Sequence, residues 1–374
     1  MKALAALAVV AVALALPGTA VGGKRDDARV QRGLERLVKS SGGPPGAIAT
    51  LWRSGRTTVF RAGYGDRAKR RRPRATDHMR IASVAKAFSG AVALRLVRDG
   101  SLGLDDTIAQ HRPDLPAAWG RVTIRQLLNH TSGVPDYTKS DGFVKQFQTA
   151  PKAYVSPAKI ISWVAKDKLV FRPASRYEYS NTDNIVVGLI AERVTGLPYG
   201  TLLRDDVFGP LGLRNTTFPS STRLPRPFIH GYVTEPGKKP DDVSTLLSPS
   251  GAWASGAIVS TPRDLATFMR GYVSGRLFGT VARREQRRFF PGGRSSPPGP
   301  GSNSAGLALF RYRTRCGTVY GHTGNFPGYV QWAAASSDGQ RVVTTSLNIP
   351  APEGALLRRL RAVQEDAVCA LLRG

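Results

Sequence analysis

The stretch SVAKAFSGAVALRLVR, residues 83–98, combines a candidate reaction centre with the apolar periodicity of a helix. If Ser83 begins that helix, Lys86 lies one turn later on the same face, and its amine can reach the serine hydroxyl. A lysine accepts the serine proton only when its amine is neutral, a form that burial and nearby positive charge favour. Because the Ser-x-x-Lys spacing is common by chance, the alternative is a serine helix cap beside a solvated lysine.

Two other short segments carry side chains suited to acyl transfer. The segment YSN, residues 179–181, offers a phenol for general acid–base catalysis and an amide that can hold a lysine or a substrate carbonyl. The segment HTGN, residues 322–325, is predicted to lie on a strand that pairs with a bound peptide. There the backbone N–H groups of Asn325 and Ser83 can form an oxyanion hole. Taken alone, a core tyrosine before a turn is the alternative for YSN.

The order and spacing of SVAK, YSN and HTG resemble those of the penicillin-recognising serine hydrolases. That family includes class C β-lactamases, D-alanyl-D-alanine carboxypeptidases and related esterases. The likeness extends over VTIRQLLNHTSG at 122–133, GAWASGA at 251–257 and YGHTG at 320–324. Because HTG stands where lactamases carry KTG, the sequence is most similar to the secreted, penicillin-sensitive carboxypeptidases of this family.

The resemblance implies a role for each site residue. Ser83 is the nucleophile that becomes acylated, and Lys86 and Tyr179 share the proton transfers. Which of these two is the base stays open, because they titrate as a coupled unit. The expected substrate-binding residues are Asn181, which orients the lysine, His322 and Thr323 on the cleft strand, Trp253 and Phe143 as facing aromatic walls, Asn325 and Arg311.

Two departures from the carboxypeptidase pattern fall at positions that bind the substrate carboxylate in those peptidases. Phe310 occupies the position of the carboxylate-binding arginine, and Arg311 beside it faces the cleft only if a bulge re-aims the strand. Asn325 stands where those peptidases have a threonine. The leading prediction remains a D-alanyl-D-alanine carboxypeptidase that acts on peptidoglycan peptides and reacts with β-lactams. The alternatives are a class C-like β-lactamase, a serine esterase or amidase, and an inactive secreted binding protein.

Strand-like patterns occur near both ends of the chain, and short helical patterns fill its middle. We therefore predict an α/β (α+β) fold, an antiparallel sheet flanked by helices and built from both chain ends. The predicted domains are a sheet domain of residues 21–105 plus 260–374 and an inserted helix-rich domain of residues 106–259. The Pro/Gly/Ser-rich segment 291–304 is predicted to be an exposed loop.

The N-terminus has the pattern of an export signal. A basic start, an uncharged stretch at 3–16 and small residues near Ala20 predict that residues 1–20 are the cleaved signal peptide of a secreted protein. The alternative is an uncleaved anchor or a buried N-terminal helix. Outside the cell the two cysteines, Cys316 and Cys369, can form a disulfide, with two buried thiols as the alternative. The family resemblance implies the disulfide.

The net charge of the chain bears on the classes of partner that it can bind. The chain has 54 Lys+Arg against 26 Asp+Glu, a net charge of +28, so nucleic acid must be considered. The dense basic run at 67–74 contains a proline and no interleaved aromatic residue, and we interpret it as a solvated loop. For an exported protein, anionic envelope polymers provide a weak, salt-sensitive attraction.

The remaining expectations concern ligands and assembly. The five histidines lack metal-ligand spacing, so we predict neither a metal nor a cofactor. The expected partner is a cell-wall peptide, a β-lactam or an ester as small-molecule substrate. We expect no nucleic acid, no stable membrane anchor and a monomer.

Overall fold

The computed structural model describes residues 20–235 and 237–374. The predicted signal peptide, apart from its last residue, lies outside these described residues. Within them, no helix combines the length and apolar character that spanning a bilayer requires.

Strands and helices are distributed unevenly along the chain. The strands of the described residues are β1 Gly46–Arg53, β2 Arg56–Gly63, β3 Met79–Arg80, β4 Tyr232–Val233, β5 Asp241–Asp242, β6 Val259–Ser260, β7 Ser302–Gly306, β8 Leu309–Thr314, β9 Gly317–Phe326, β10 Tyr329–Ala335 and β11 Val342–Leu347. The α-helices in the same residues are α1 Ala20–Lys39, α2 Ala85–Arg98, α3 Ile108–His111, α4 Ile124–Leu128, α5 Asp141–Thr149, α6 Pro157–Ser162, α7 Asn181–Thr195, α8 Tyr199–Leu202, α9 Gly209–Leu211, α10 Trp253–Gly256, α11 Pro262–Ser274, α12 Gly279–Gln286 and α13 Gly354–Arg373. A π-helical segment, Leu203–Phe208, joins α8 to α9.

A seven-stranded antiparallel sheet has the strand order β2-β1-β11-β10-β9-β8-β7. The N-terminal hairpin β1–β2 turns at Ser54 and Gly55, both at positive φ, a conformation that glycine adopts without strain. Strand β1 then pairs with β11 from the opposite end of the chain. The prediction of a sheet built from both chain ends is therefore confirmed.

Helices cover both faces of the sheet, and alternate strand residues supply the two cores. On β10, Val330 and Trp332 pack in one core with residues of α1 and α13. Their neighbour Ala333 packs in the other core, to which α2, α7 and α11 contribute. Helices α1 and α13 thus cover one side of the sheet, and α2, α7 and α11 cover the other.

Short helices fill the middle of the chain, between β3 and β6, as the sequence predicts. Helix α7 is the central element of this part, because its residues 182–191 are all buried. The domain bounds of 21–105 plus 260–374 and of 106–259 stay predictions.

The predicted disulfide is present. Cys316, in the turn before β9, is bonded to Cys369 of α13, with 5.0 Å between their Cα atoms. The bond closes a loop with a sequence separation of 53 residues and fixes α13 to the sheet.

Strand β9 has an edge that β8 leaves unpaired, and the candidate site lies along that edge. Along β10 it is paired as far as Phe326, whereas along β8 its pairing ends at Gly321. The backbone of residues 322–326 is consequently not covered by β8, and an extended substrate can add to the sheet there.

Candidate active site

Ser83 lies in a 3₁₀ turn, Ala82–Val84, that leads directly into α2. The sequence predicts a helix start at Ser83, and the structure moves the first α-helical residue to Ala85. Ala82 has φ of 52°, a left-handed conformation that costs an alanine roughly 1–2 kcal/mol. This strained residue turns the chain from β3 so that Ser83 is partly exposed at the start of the helix.

The Lys86 amine is completely buried among polar neighbours. Its Nζ lies 2.7 Å from Asn181 Oδ1, 2.9 Å from the Ser255 carbonyl oxygen and 3.1 Å from Ser83 Oγ. A neutral amine has two N–H bonds and one lone pair. Because Asn181 Oδ1 and the Ser255 carbonyl can only accept, they take the two N–H bonds, and the lone pair is left for the Ser83 hydroxyl.

The protonation of Lys86 suits this geometry. Burial lowers the pKa of Lys86 from 10.5 to about 7, and the charge of Asp136 acts in the opposite direction. A substantial fraction of the amines is therefore neutral near pH 7. In this form Lys86 can take the proton of Ser83 as a general base.

The pKa of Tyr179 is shifted in the opposite direction to that of Lys86. Burial raises the pKa of its phenol, and the neighbouring Ser83 hydroxyl acts against that rise. The hydroxyl is buried and makes no hydrogen bond of normal geometry with the described residues. The two pKa directions favour Lys86 as the base that activates Ser83 and leave the protonated Tyr179 to serve as an acid.

Ring packing, rather than a hydrogen bond, holds Tyr179. The ring centroid of His130 lies 4.4 Å away, and Lys86 Nζ lies 5.1 Å from the Tyr179 centroid. His130 Nδ1 is 2.8 Å from Asp183 Oδ2, and Ser132 donates to the other carboxyl oxygen. Burial lowers the pKa of His130 and raises that of Asp183, which favours a neutral pair that shares one proton.

Asn181 connects the lysine to an acidic side chain that the sequence analysis missed. Its Oδ1 accepts from Lys86, and its Nδ2 donates to the Asp136 carboxylate at 3.1 and 3.2 Å. Asp136 follows the HTSG segment by three residues. No pattern in the sequence marks it, because its role arises from a contact with α7, 45 residues further along the chain.

A cavity of about 560 Å³ extends from Ser83 between α5, the segment that follows α5 and the segment before α10. Phe143 lines it, as predicted, and so do Asn181, Tyr179 and Asn325. Most of the remaining wall is apolar: Phe147, Ala153, Val155, Trp163, Leu247 and Phe326. Carboxylates of Asp136 and Glu178 are its acidic groups, and Glu178 is paired with Lys139 and Arg176.

Trp253 does not line this cavity, which corrects the expectation of a cleft wall. Its ring packs 5.1 Å from the Tyr199 ring and closely against Gly188 of α7. A positive φ of 31° at Trp253 is part of this backbone geometry, which the residue pattern does not reveal. Trp163, on the segment after α6, supplies a second aromatic side chain of the wall, and its ring contacts that of Phe143 edge to face, with ring centroids 6.0 Å apart.

Strand β9 runs directly beside Ser83. A methyl group on Gly324 would lie 2.4 Å from the Ile81 carbonyl oxygen and 3.0 Å from the Ser83 backbone nitrogen, so only glycine fits there. Asn325 follows it in the cavity wall, and its side-chain Oδ1 accepts from the Ala351 N–H.

His322 and Thr323 were expected to line the cleft, but both side chains are buried beside it. Burial lowers the pKa of His322 to about 3, so the ring is neutral, and its Nδ1 donates to the Thr323 carbonyl. Thr323 Oγ1 donates to the Pro297 carbonyl at 2.7 Å. The segment 291–304 that contains Pro297 is in part buried, in contrast to the predicted exposed loop.

Arg311 is not at the cavity either. It donates to Ser304 Oγ at 3.2 Å and stacks over Phe289 at 4.5 Å, so the predicted substrate contact is corrected. Phe310 points to the opposite face of β8, the face that Thr323 shares, and its ring centroid lies 5.0 Å from that of His322. No bulge alters the alternation of these neighbours, since β8 pairs with β9 in continuous register from Phe310 to Thr314.

The chain matches the family model described as Beta-lactamase over residues 27–367. The chain belongs to the beta-lactamase family. It has the fold of this family, and it is one of its serine hydrolases. Within the described residues, no cluster of His, Cys, Asp and Glu side chains could hold a metal ion.

Two solved structures are similar to most of the chain. A D-stereospecific amidohydrolase from Streptomyces sp. is 31% identical, with a TM-score of 0.76, over 86% of this chain and 94% of that one. The D-amino acid amidase from Ochrobactrum anthropi SV3, complexed with L-phenylalanine amide, is 26% identical, with a TM-score of 0.80, over 92% and 98%.

A curated relative in the same family is Penicillin-binding protein 4* of Bacillus subtilis (strain 168), which is 28% identical over 218 residues. That match covers 55% of this chain and 47% of the relative. Protein flp of Staphylococcus aureus (strain MW2) is 29% identical over 194 residues, which are 50% of this chain and 38% of the relative. The chain thus spans less than half the length of these two curated relatives.

Proposed function

We propose that this serine hydrolase cleaves amides and esters of D-amino acids with large apolar side chains, through an acyl-enzyme at Ser83. The observation that carries the proposal is the cavity beside Ser83. It joins an apolar wall, including Phe143 and Trp163, to the carboxylate of Asp136. The D configuration is inferred from the D-stereospecific amidohydrolase and the D-amino acid amidase that share the fold.

Asp136 is the group proposed to bind the substrate's α-ammonium. Its oxygens accept from Asn181 Nδ2 and the Thr138 N–H, and within the described residues it has no ion-pair partner. The other cavity carboxylate, Glu178, already pairs with Lys139. A cationic amino group can therefore add a charge-assisted hydrogen bond to Asp136, while the apolar wall buries the side chain of the same substrate.

In the proposed reaction, Ser83 Oγ attacks the substrate carbonyl while Lys86 takes the hydroxyl proton. The backbone N–H groups of Ser83 and Asn325 are the predicted donors to the oxyanion. The C–N or C–O bond then breaks, and the leaving group receives a proton from the Lys86–Tyr179 pair. Water then attacks the acyl-Ser83 ester and gives a proton to the pair, which passes a proton to Ser83 Oγ as the ester bond breaks and the acid is released.

The D-alanyl-D-alanine carboxypeptidase predicted from sequence is the second candidate. It is favoured by the free edge of β9 at residues 322–326 and by the similarity to Penicillin-binding protein 4*. Against it, arginine is not among the cavity-lining side chains of the described residues. A β-lactamase would use the same acylation and differ in rapid hydrolysis of the acyl-enzyme.

A substrate panel tests the proposal on the purified protein. The substrates are D- and L-phenylalanine amide, N-acetyl-D-phenylalanine amide and N-acetylated D-Ala-D-Ala, and fluorescent penicillin reports acylation. We expect hydrolysis of D-phenylalanine amide at least tenfold faster than of its L isomer. Faster cleavage of the D-Ala-D-Ala peptide, with stable penicillin labelling, would favour the second candidate, and rapid penicillin turnover would favour the lactamase.

Variants of the two cavity carboxylates test the role of Asp136. Asp136→Asn should raise KM for D-phenylalanine amide about tenfold, the value of one charge-assisted hydrogen bond, and should change KM for the N-acetylated amide much less. Glu178→Gln is the matched control, because this carboxylate is already neutralised by Lys139. An equal effect of Asp136→Asn on both substrates would contradict ammonium binding.

We also infer that the protein is exported, in line with the predicted cleavage near Ala20. The Cys316–Cys369 disulfide supports an oxidising compartment. N-terminal sequencing of protein from the culture medium should begin close to residue 21; an intact Met1 on cell-bound protein would contradict export. The weak attraction to anionic envelope polymers and the monomeric state stay predictions, to be tested by salt-dependent pull-down and light scattering.

A further inference from the structure

The loop formed by residues 294–301 borders the cleft beside β9. If the acyl part of the substrate lies against Phe143 and Trp163 in this cavity, its leaving group lies at the end nearer to Tyr179 and β9. Ser296 lines the cavity, and the Pro297 carbonyl accepts from Thr323 Oγ1 at 2.7 Å. The 294–301 loop is thus seated against β9 beside the reaction centre.

The 294–301 loop is held firmly in that place. Four segments outside the loop donate hydrogen bonds to it. Besides Thr323 of β9, Tyr312 of β8 donates to Ser295 Oγ at 3.2 Å, and Tyr177 donates to the Arg294 carbonyl at 2.6 Å. Arg361 of α13 donates to the Gly299 and Gly301 carbonyls at 3.0 and 2.7 Å. Gly299 also packs against the Tyr312 ring, where a methyl group would lie 2.3 Å from a ring carbon. The loop therefore acts as a fixed wall.

The surroundings of Thr323 are unsuited to a carboxylate. The Thr323 hydroxyl already donates to the loop, and Phe310 shares its face of the sheet, since Phe310 pairs with Gly321, two residues before Thr323. The nearby Arg361 directs its donors to loop carbonyls. A carboxylate placed beside Thr323 would lose hydration without a hydrogen bond from the Thr323 hydroxyl or the Arg361 guanidinium in return, which is unfavourable.

We propose that the 294–301 loop closes the leaving-group end of the cleft and restricts the enzyme to small, uncharged leaving groups, such as ammonia or a short alcohol. Peptide substrates whose leaving group is an amino acid with a free carboxylate are excluded by the loop. This inference rests on the proposed hydrolysis of D-aminoacyl amides and esters, and it specifies the leaving group of the substrate.

Two matched substrate pairs test the closure, each with the same acyl part. The pairs are D-phenylalanine amide with D-phenylalanyl-D-alanine, and D-phenylalanine methyl ester with D-phenylalanyl-D-lactate. For the wild type, we expect kcat/KM at least 100-fold higher for the small leaving group in each pair. Equal values within a pair would overturn the closure while leaving the proposed function intact. Turnover of none of the four would overturn both.

Release of the loop from α13 provides the second test. Arg361→Ala removes two hydrogen bonds to the loop and should raise kcat/KM for the carboxylate-bearing substrates about tenfold, with little change for the amide. Arg359→Ala is the matched control, because this exposed arginine of the same helix donates to Ser40 instead. Replacing residues 296–298 with three glycines should have a larger effect in the same direction. Unchanged substrate ratios in both loop variants, with melting temperatures near that of the wild type, would overturn the proposal.

Discussion

At the Ser83 end of the cleft, polar groups are left available for reaction: a lysine lone pair and, among the residues that the structure describes, a phenol without a hydrogen bond and a carboxylate without an ion-pair partner. At the Thr323 end, the polar groups are already used, because the threonine hydroxyl and the arginine of α13 both donate to the 294–301 loop. The two ends share one strand, β9. Their difference indicates that the chemistry of acylation and the choice of leaving group depend on separate parts of the fold.

Removal of the nucleophile gives the largest expected contrast between the two ends. Ser83→Ala should lower kcat for every substrate by about 10⁴-fold or more and abolish labelling by fluorescent penicillin, because no acyl-enzyme can form. Ser296→Ala, in the 294–301 loop that borders the same cavity, should change kcat less than tenfold. Residual labelling of the Ser83→Ala protein, seen by intact mass, would contradict the assignment of the nucleophile.

Lys86→Arg tests whether a neutral amine is needed as the base. A guanidinium stays charged at all accessible pH values, so it cannot accept the Ser83 proton, and kcat should fall by about 10²–10⁴-fold. Lys139→Arg keeps its ion pair with Glu178 and should retain activity within a few-fold. Circular dichroism and thermal melting distinguish loss of the base from loss of the fold.

The pH dependence of acylation gives a smaller effect with a defined sign. Because Lys86 must be neutral, the rate should rise with pH and level off above its pKa of about 7. Asp136 raises that pKa, so Asp136→Asn should move the rise to lower pH. Stopped-flow measurement of acylation by an uncharged N-acetylated ester gives this pH dependence, because such a substrate has no ammonium group for Asp136 to bind. A shift to higher pH would contradict the coupling.

Cys369→Ser should have the smallest effect on activity, because the disulfide lies far from both ends of the cleft. Loss of this cross-link, with its sequence separation of 53 residues, should lower the free energy of unfolding by up to about 4 kcal/mol. We expect kcat to change less than twofold in either cysteine variant or in the double Cys316→Ser/Cys369→Ser variant. Urea unfolding of all three measures the stability; values near that of the wild type would contradict a stabilising disulfide.

Local patterns in the sequence predicted the elements that depend on local geometry. The hairpin β1–β2 follows from alternating residues around Ser54-Gly55, and the Ser83–Lys86 contact follows from one turn of helix. The pairing of the chain ends in one sheet also agrees with the prediction. These features depend on backbone periodicity, which residue types reveal directly.

Other predictions were wrong where a backbone turn or a long-range contact decides the outcome. Trp253 faces the core because of the space that Gly188 of α7 leaves for its ring. Arg311 faces away from the cleft because β8 and β9 pair without a bulge. The segment 291–304 is partly buried because β8, β9 and α13 bind it, and its composition alone predicted an exposed loop.

The sequence by itself determined the reactive groups and their order: a serine one turn before a lysine, a Tyr-Ser-Asn segment, a strand with His-Thr-Gly and two cysteines. The tertiary structure alone decided which groups are buried, which are free and which are occupied. Desolvation lowers the pKa of Lys86, a contact from α7 connects Asp136 to the site, and a distant loop takes the Thr323 hydroxyl. The physical reason is that pKa values and hydrogen-bond availability depend on neighbours distant in the chain, whereas motif spacing depends only on local backbone geometry.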